Sequence, residues 1–156
     1  MFEVSIVHFP ETPIAALEHK GPPATEIQSI LKFIDWRKAN SLAPPKHKSY
    51  GIHYTSPHIQ PPESYRVDLA TNFDGVVESN DLGVANKIIP ACRCALARHH
   101  GSREDVAAAR WLLQEWLPNS DEEMGEFPIF FHYINVGPDV KEDDMLTDVY
   151  LPLADK

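Results

Sequence analysis

His99-His100-Gly101-Ser102-Arg103-Glu104-Asp105 opens a helical pattern that runs to Trp116-Leu117, and the stretch has a counterpart eighty positions earlier. His19-Lys20-Gly21 matches His99-His100-Gly101, and Trp36 matches Trp116 at the same offset. Further on, Asp68 in Tyr65-Arg66-Val67-Asp68-Leu69 matches Asp148 in Leu146-Thr147-Asp148-Val149-Tyr150. His53-Tyr54 matches His132-Tyr133 with one residue of slippage. Each identity alone is weak. Their order and near-constant spacing predict an internal duplication, with one module over about 1–77 and the second over about 82–156.

Each half reads as strands with one helix between them. Phe2-Glu3-Val4-Ser5-Ile6-Val7-His8-Phe9 alternates apolar and polar residues, the period of a half-buried strand. A second strand follows from Pro13 and ends at Gly21-Pro22-Pro23, where two prolines cannot continue a ladder but can pre-set a first helical turn. The helix is expected over about 24–40, with Ile27, Ile30, Leu31 and Ile34 as its apolar stripe, Phe33 and Trp36 widening it, and Lys32, Asp35, Arg37 and Lys38 outside. Strands are expected at 50–55 and 65–73, then a turn-rich connector over 74–83. The second half repeats the pattern: strand residues through 87–98, a helix carrying Val106, Ala109, Leu112, Leu113, Trp116 and Leu117, and strands at 129–135 and 146–153. Ser102 and Asp105 have the spacing of a capping box for that helix. The fold class is therefore α+β: a tandem strand–helix–strand–strand module, antiparallel sheets with one main helix each, and a pseudo-twofold that leaves a ligand-sized groove between the copies.

A chain of 156 residues is long enough to bury a real core. Its formal net charge of −9 repels phosphate backbones, so no direct nucleic-acid binding is expected. No run approaches a membrane span and no leader pattern follows Met1, so a cytoplasmic location is expected. The two cysteines, Cys92 and Cys94, sit two apart on one strand face, a poor geometry for a bridge, and are expected reduced. The eight histidines follow no zinc spacing, and no metal or other cofactor is expected.

Three stretches resemble the GyrI-like family: Ile14-Ala15-Ala16-Leu17-Glu18-His19-Lys20-Gly21-Pro22, then Gly51-Ile52-His53-Tyr54 with Pro57, and the ending Asp148-Val149-Tyr150-Leu151-Pro152-Leu153. The turn at Gly101 leading to a helix with Trp116 fits as well. The resemblance implies a GyrI-like effector-binding fold of two modules. It also implies kinship with the effector-binding halves of AraC-type and MerR-type regulators, which sense lipophilic and often cationic drugs. Standalone members include a DNA gyrase inhibitor, and another branch hydrolyses cyclopropane-bearing DNA-alkylating compounds. Within this chain there is no room for an additional helix-turn-helix domain. Many relatives carry a pocket glutamate two residues before a tyrosine in the strand matching 129–135. Here Tyr133 is present but position 131 is phenylalanine, which suits flat apolar rings better than cations.

Strand alternation puts Ile129, Phe131 and Tyr133 on one face and Phe130, His132 and Ile134 on the other. The resemblance assigns the first set to the pocket. The repeat adds Ile52 and Tyr54 as their mirror images, and Tyr150 and Trp111 are further ligand-binding candidates. Glu18, in an inner strand, is the acid best placed to compensate for Phe131. The function expected is non-catalytic binding of a small lipophilic or aromatic molecule, cations included. The alternatives are hydrolysis of strained cyclopropanoid alkylators and inhibition of DNA gyrase by protein contact.

Overall fold

A computed structural model of the chain describes residues 2–44, 46–54, 62–103, 106–137 and 139–155. The expected strand end at Thr55, the loop with Pro57, and Glu104 and Asp105 lie outside the described residues. Eight strands carry the fold: β1 Ser5–Phe9, β2 Thr12–Lys20, β3 Ser49–His53, β4 Arg66–Asn72, β5 Ala85–Ile89, β6 Cys92–His100, β7 Phe130–Tyr133 and β8 Leu146–Pro152. The helices are α1 Glu26–Ala39 and α2 Ala107–Trp111, the latter continued by a π-helical turn over Leu112–Trp116. The pairs β1–β6, β2–β4, β2–β5, β3–β4, β6–β8 and β7–β8 are antiparallel, and the class is α+β. No described helix is long and apolar enough to cross a membrane.

The chain forms two compact units, residues 12–89 and residues 1–11 with 90–156. In the first, β2 lies between β5 and β4, and β3 pairs the outer side of β4. Period-two alternation turns Ala15, Leu17 and Leu69 toward α1, where they pack with Phe33, Trp36, Leu42 and Val84. The short turn Pro23–Thr25 starts the helix where missing N–H donors do no harm. The helix is rotated from the expected stripe. Ile27 and Leu31 are each 55% exposed and Ile34 is exposed too, while Phe33, Trp36 and Arg37 are buried. Two large rings, stacked at 5.9 Å, outweigh three aliphatic side chains for the core position. Arg37, expected outside, follows them inward because its guanidinium donates to Leu42 O (2.8 Å), Ser49 Oγ (2.7 Å) and His47 O (3.2 Å).

In the second unit, β6 lies between β1 and β8, and β7 pairs the outer side of β8. Ala95, Ala97, Val149, Leu151 and Phe131 meet Ala108 and Leu112 from the helix. The helix starts later than expected, with Val106 rather than Ser102 at its N-cap and no side-chain cap bond. The Ser102 carbonyl instead accepts from the His99 ring at 2.9 Å. The π turn is closed by Leu117 N–H donating to Leu112 O at 2.8 Å. On the other sheet face, Phe130 is fully buried, stacked on Tyr150 with ring centres 5.0 Å apart, and Phe9 sets its edge against both.

The strand pairings place the repeat at eighty residues with no slippage. Ser49 opposes Thr71 and Ile52 opposes Asp68; His132 opposes Asp148. Hydrogen-bond register thus makes His132 the counterpart of Ile52 and Tyr133 the counterpart of His53, so the expected mirror of Phe131 and Tyr133 in Ile52 and Tyr54 is corrected by one position. The first strand of each repeat pairs the second strand of the other: β1 with β6, β5 with β2. The His-x-Gly pattern is a turn brace. Gly21 (φ 130°) and Gly101 (φ 102°) take backbone angles that suit glycine, and their N–H groups donate to Tyr65 O and Met145 O, both at 2.9 Å. The buried His19 and His99 rings reach the carbonyls three residues on, Pro22 at 3.4 Å and Ser102 at 2.9 Å.

His53 has a titration consequence. Burial pushes its pKa down to about 4. The folded state therefore favours the neutral ring, and this preference supports the fold fully above the unfolded value near 6.5. It is lost as pH falls from there toward about 4, at about 1.4 kcal/mol for each pH step crossed. The midpoint of urea unfolding is expected to drop across that window, and His53→Asn is expected to flatten the drop. An unchanged slope in the variant would remove His53 as its cause.

Candidate binding face of the second unit

On the helix side of the sheet of residues 1–11 and 90–156, β7 contributes Phe131 and Tyr133 and the residue before it, Ile129, joins them, as period-two alternation predicts. Phe131 is buried, while Ile129 and Tyr133 are half-buried and pack on the same core. From the helix, Trp111, Leu113 and Trp116 join them half-buried, and the Trp111 ring lies 5.5 Å from Phe2. Phe131 and Tyr133 meet edge to face at 6.3 Å. The helix at this position has only five α-helical residues before its π turn, and Ala107, Ala108 and Ala109 are small, so the large rings beside them are only half covered. The result is a collection of rings with part of their surface toward solvent.

A cation borders these rings. The Arg103 guanidinium lies 5.1 Å over the Tyr133 ring. Its Nε donates to Thr147 Oγ1 at 2.9 Å, and one Nη donates to Leu146 O at 2.7 Å and to the backbone and side-chain oxygens of Asn135 at 3.1 and 3.2 Å. Burial lowers its pKa, and Tyr133 partly offsets this. Sequence reasoning did not single out Arg103. Its counterpart in the repeat is Pro23, so comparing the halves gave no signal.

The other expected site residues are elsewhere. Tyr150 opposes Phe130, not Phe131, and stands on the far face of the same sheet. Burial, then Asp148, raises its pKa. Ile52, Tyr54 and Glu18 belong to residues 12–89, on the sheet face away from α1. Ile52 is buried there. The Tyr54 hydroxyl donates to Asp68 Oδ2 at 2.9 Å, and its pKa is raised by burial first and then by Asp68. Lys87 Nζ donates to the same oxygen at 2.7 Å. Glu18 pairs with Arg66 at 3.1 Å and lies 4.0 Å from Lys87. Two cations already neutralise this acid, so it offers little to a cationic ligand. Of the eight residues, four come together: Trp111, Ile129, Phe131 and Tyr133.

Cys92 and Cys94 are free thiols with sulfurs 3.4 Å apart, and burial raises both pKa values. Among the described residues no three His, Cys, Asp or Glu side chains converge as metal ligands do.

Comparison with known proteins agrees with this architecture. The family model described as GyrI-like small molecule binding domain matches residues 2–154. The chain is 37% identical over 154 residues to "Probable transcriptional regulator YgiV" of Escherichia coli (strain K12), covering 97% of this chain and 96% of that one. The crystal structure of the EcmrR C-terminal domain has the same fold, with a TM-score of 0.77 at 12% identity over 99% of this chain and 98% of that one. SAV2435, solved bound to tetraphenylphosphonium, aligns with a TM-score of 0.59 at 11% identity over 97% of this chain and 94% of that one.

Proposed function

The chain belongs to the GyrI-like family of small-molecule binding domains, and from that premise we propose that it binds a small, largely apolar aromatic molecule on the helix side of residues 90–156. The observation that carries this reading is the convergence of Trp111, Ile129 and Tyr133, half-buried around Phe131. Rings in such a position gain by covering their remaining surface with another flat apolar body. The tetraphenylphosphonium bound by SAV2435 is itself a set of four phenyl rings, which supports a lipophilic aromatic ligand class here. The role assigned to the four converging residues is binding without covalent chemistry.

The test uses N-phenyl-1-naphthylamine, a neutral aromatic probe that fluoresces when shielded from water. Trp111→Ala and Tyr133→Ala are each expected to weaken its binding about tenfold, the loss typical of a central aromatic contact. Tyr150→Ala and Tyr54→Ala, on the faces away from the helices, are expected to leave it unchanged. Equal losses from all four variants, or no probe binding at all, would refute the assignment.

A further inference from the structure

We infer that the ligand of this face carries a negative charge: a small aromatic carboxylate whose ring covers Trp111 and Tyr133 and whose anionic group meets Arg103. The inference rests on the binding role proposed above and names its ligand class.

The argument starts from what Arg103 lacks. Arg93 forks onto Glu122 at 2.8 and 2.6 Å, Arg98 onto Asp148 at 2.7 and 3.1 Å, and Arg66 pairs with Glu18 at 3.1 Å. Arg103 has no carboxylate partner among the described residues; its acceptors are a hydroxyl, two backbone carbonyls and an amide oxygen, all neutral. Those bonds use Nε and one Nη. The other Nη has two N–H donors with no acceptor among the described residues. A half-buried cation with no counterion among the described residues has given up part of its hydration without recovering it there by charge. An anion brought by the ligand recovers it, and a guanidinium edge is shaped to receive a carboxylate.

Position and rigidity agree with the charge. Nε and the used Nη tie Arg103 to β8 and to Asn135 just after β7, so the guanidinium is fixed over the Tyr133 ring rather than sweeping through solvent. Phe131 sits two residues before Tyr133 on the same face, and a phenyl ring there adds no negative charge to compete for the guanidinium. The net charge of −9 opposes anions only at long range, and at physiological salt it is screened beyond about 8 Å.

Three probes with one ring system separate the possibilities: 2-naphthoate, its neutral amide 2-naphthamide, and the cation 2-naphthylmethylammonium. Each is titrated against bound N-phenyl-1-naphthylamine at physiological salt. On the unmodified protein the carboxylate is expected to displace the reporter at a tenfold lower concentration than the amide, and the ammonium to be weakest. Arg103→Gln is expected to abolish the preference, and Arg103→Lys to keep part of it. The ranking on the unmodified protein needs no variant, so a poorly folding Gln substitution does not spoil the test. Equal binding of carboxylate and amide, or tighter binding of the ammonium, overturns the charge assignment alone. Failure of the reporter and the amide to bind overturns the binding role with it.

Discussion

Phe130→Ala is expected to lower the free energy of unfolding by roughly 3–5 kcal/mol, the range for deleting a buried phenyl ring. Phe130 is fully buried, and its ring is held on two sides: stacked on Tyr150 at 5.0 Å and an interplanar angle of 7°, and met edge-on by Phe9 at 4.9 Å. Phe127 adds a third ring at 5.9 Å. Removing the central ring loses its transfer energy and also the ring contacts, each worth about 0.5–1.5 kcal/mol beyond area. The neighbours are themselves rings on separate strands, which cannot rotate to fill the space without leaving their rotamers. A domain of ordinary stability holds about 5–15 kcal/mol in total, so the variant should sit near the edge of folding. Phe9 ends β1, and with its partner gone the β1–β6 amides should exchange faster than those of β2–β4. Urea unfolding measures the loss and hydrogen exchange locates it. A loss under about 1 kcal/mol would mean the ring cluster is not closed.

The sequence carried the repeat well because turns are expensive to change. A glycine at positive φ with a histidine bracing the following carbonyl survives in both halves, and so does an aspartate at the same sheet position. It carried the register less well. The His-Tyr dipeptides drew the two third strands into a match one residue off, although the ladder admits no slippage. Face membership within one strand could be read by period two, which is why Ile129, Phe131 and Tyr133 come out together. Which residue of β8 stands beside which of β7 is set by cross-strand bonding, and no local pattern encodes it; Tyr150 stands beside Phe130 rather than Phe131. Ile27, Leu31 and Ile34 had ideal helical spacing, but spacing fixes a stripe and not which stripe the sheet accepts. Arg103 was invisible for a related reason: its role comes from Thr147, Asn135 and Leu146, each more than thirty residues away.

Arg37 is the residue on which charge-based reading fails most, and its substitutions should rank against chemical similarity. The guanidinium is buried on α1, and burial brings its pKa down to about 10, so it stays charged at neutral pH. Three neutral oxygens from the segment between α1 and the start of β3 hold it. Arg37→Met removes the charge together with its desolvation cost and leaves Leu42 O and Ser49 Oγ short of a donor, at about 1–3 kcal/mol. Arg37→Lys keeps a charge in the same site, but one ammonium cannot reproduce a planar fork aimed at three acceptors. A buried charge stripped of partners costs about 3–5 kcal/mol, and shedding the lysine proton at neutral pH recovers only part of that. The lysine variant is therefore expected to unfold at a lower urea concentration than the methionine variant, and to regain stability as pH rises toward 10 while the methionine variant does not. The rise follows because a lysine whose folded pKa is depressed is stabilised on losing its proton. A lysine variant more stable than the methionine variant at pH 7 would mean that the site is wet, with water rather than the fork satisfying those three oxygens.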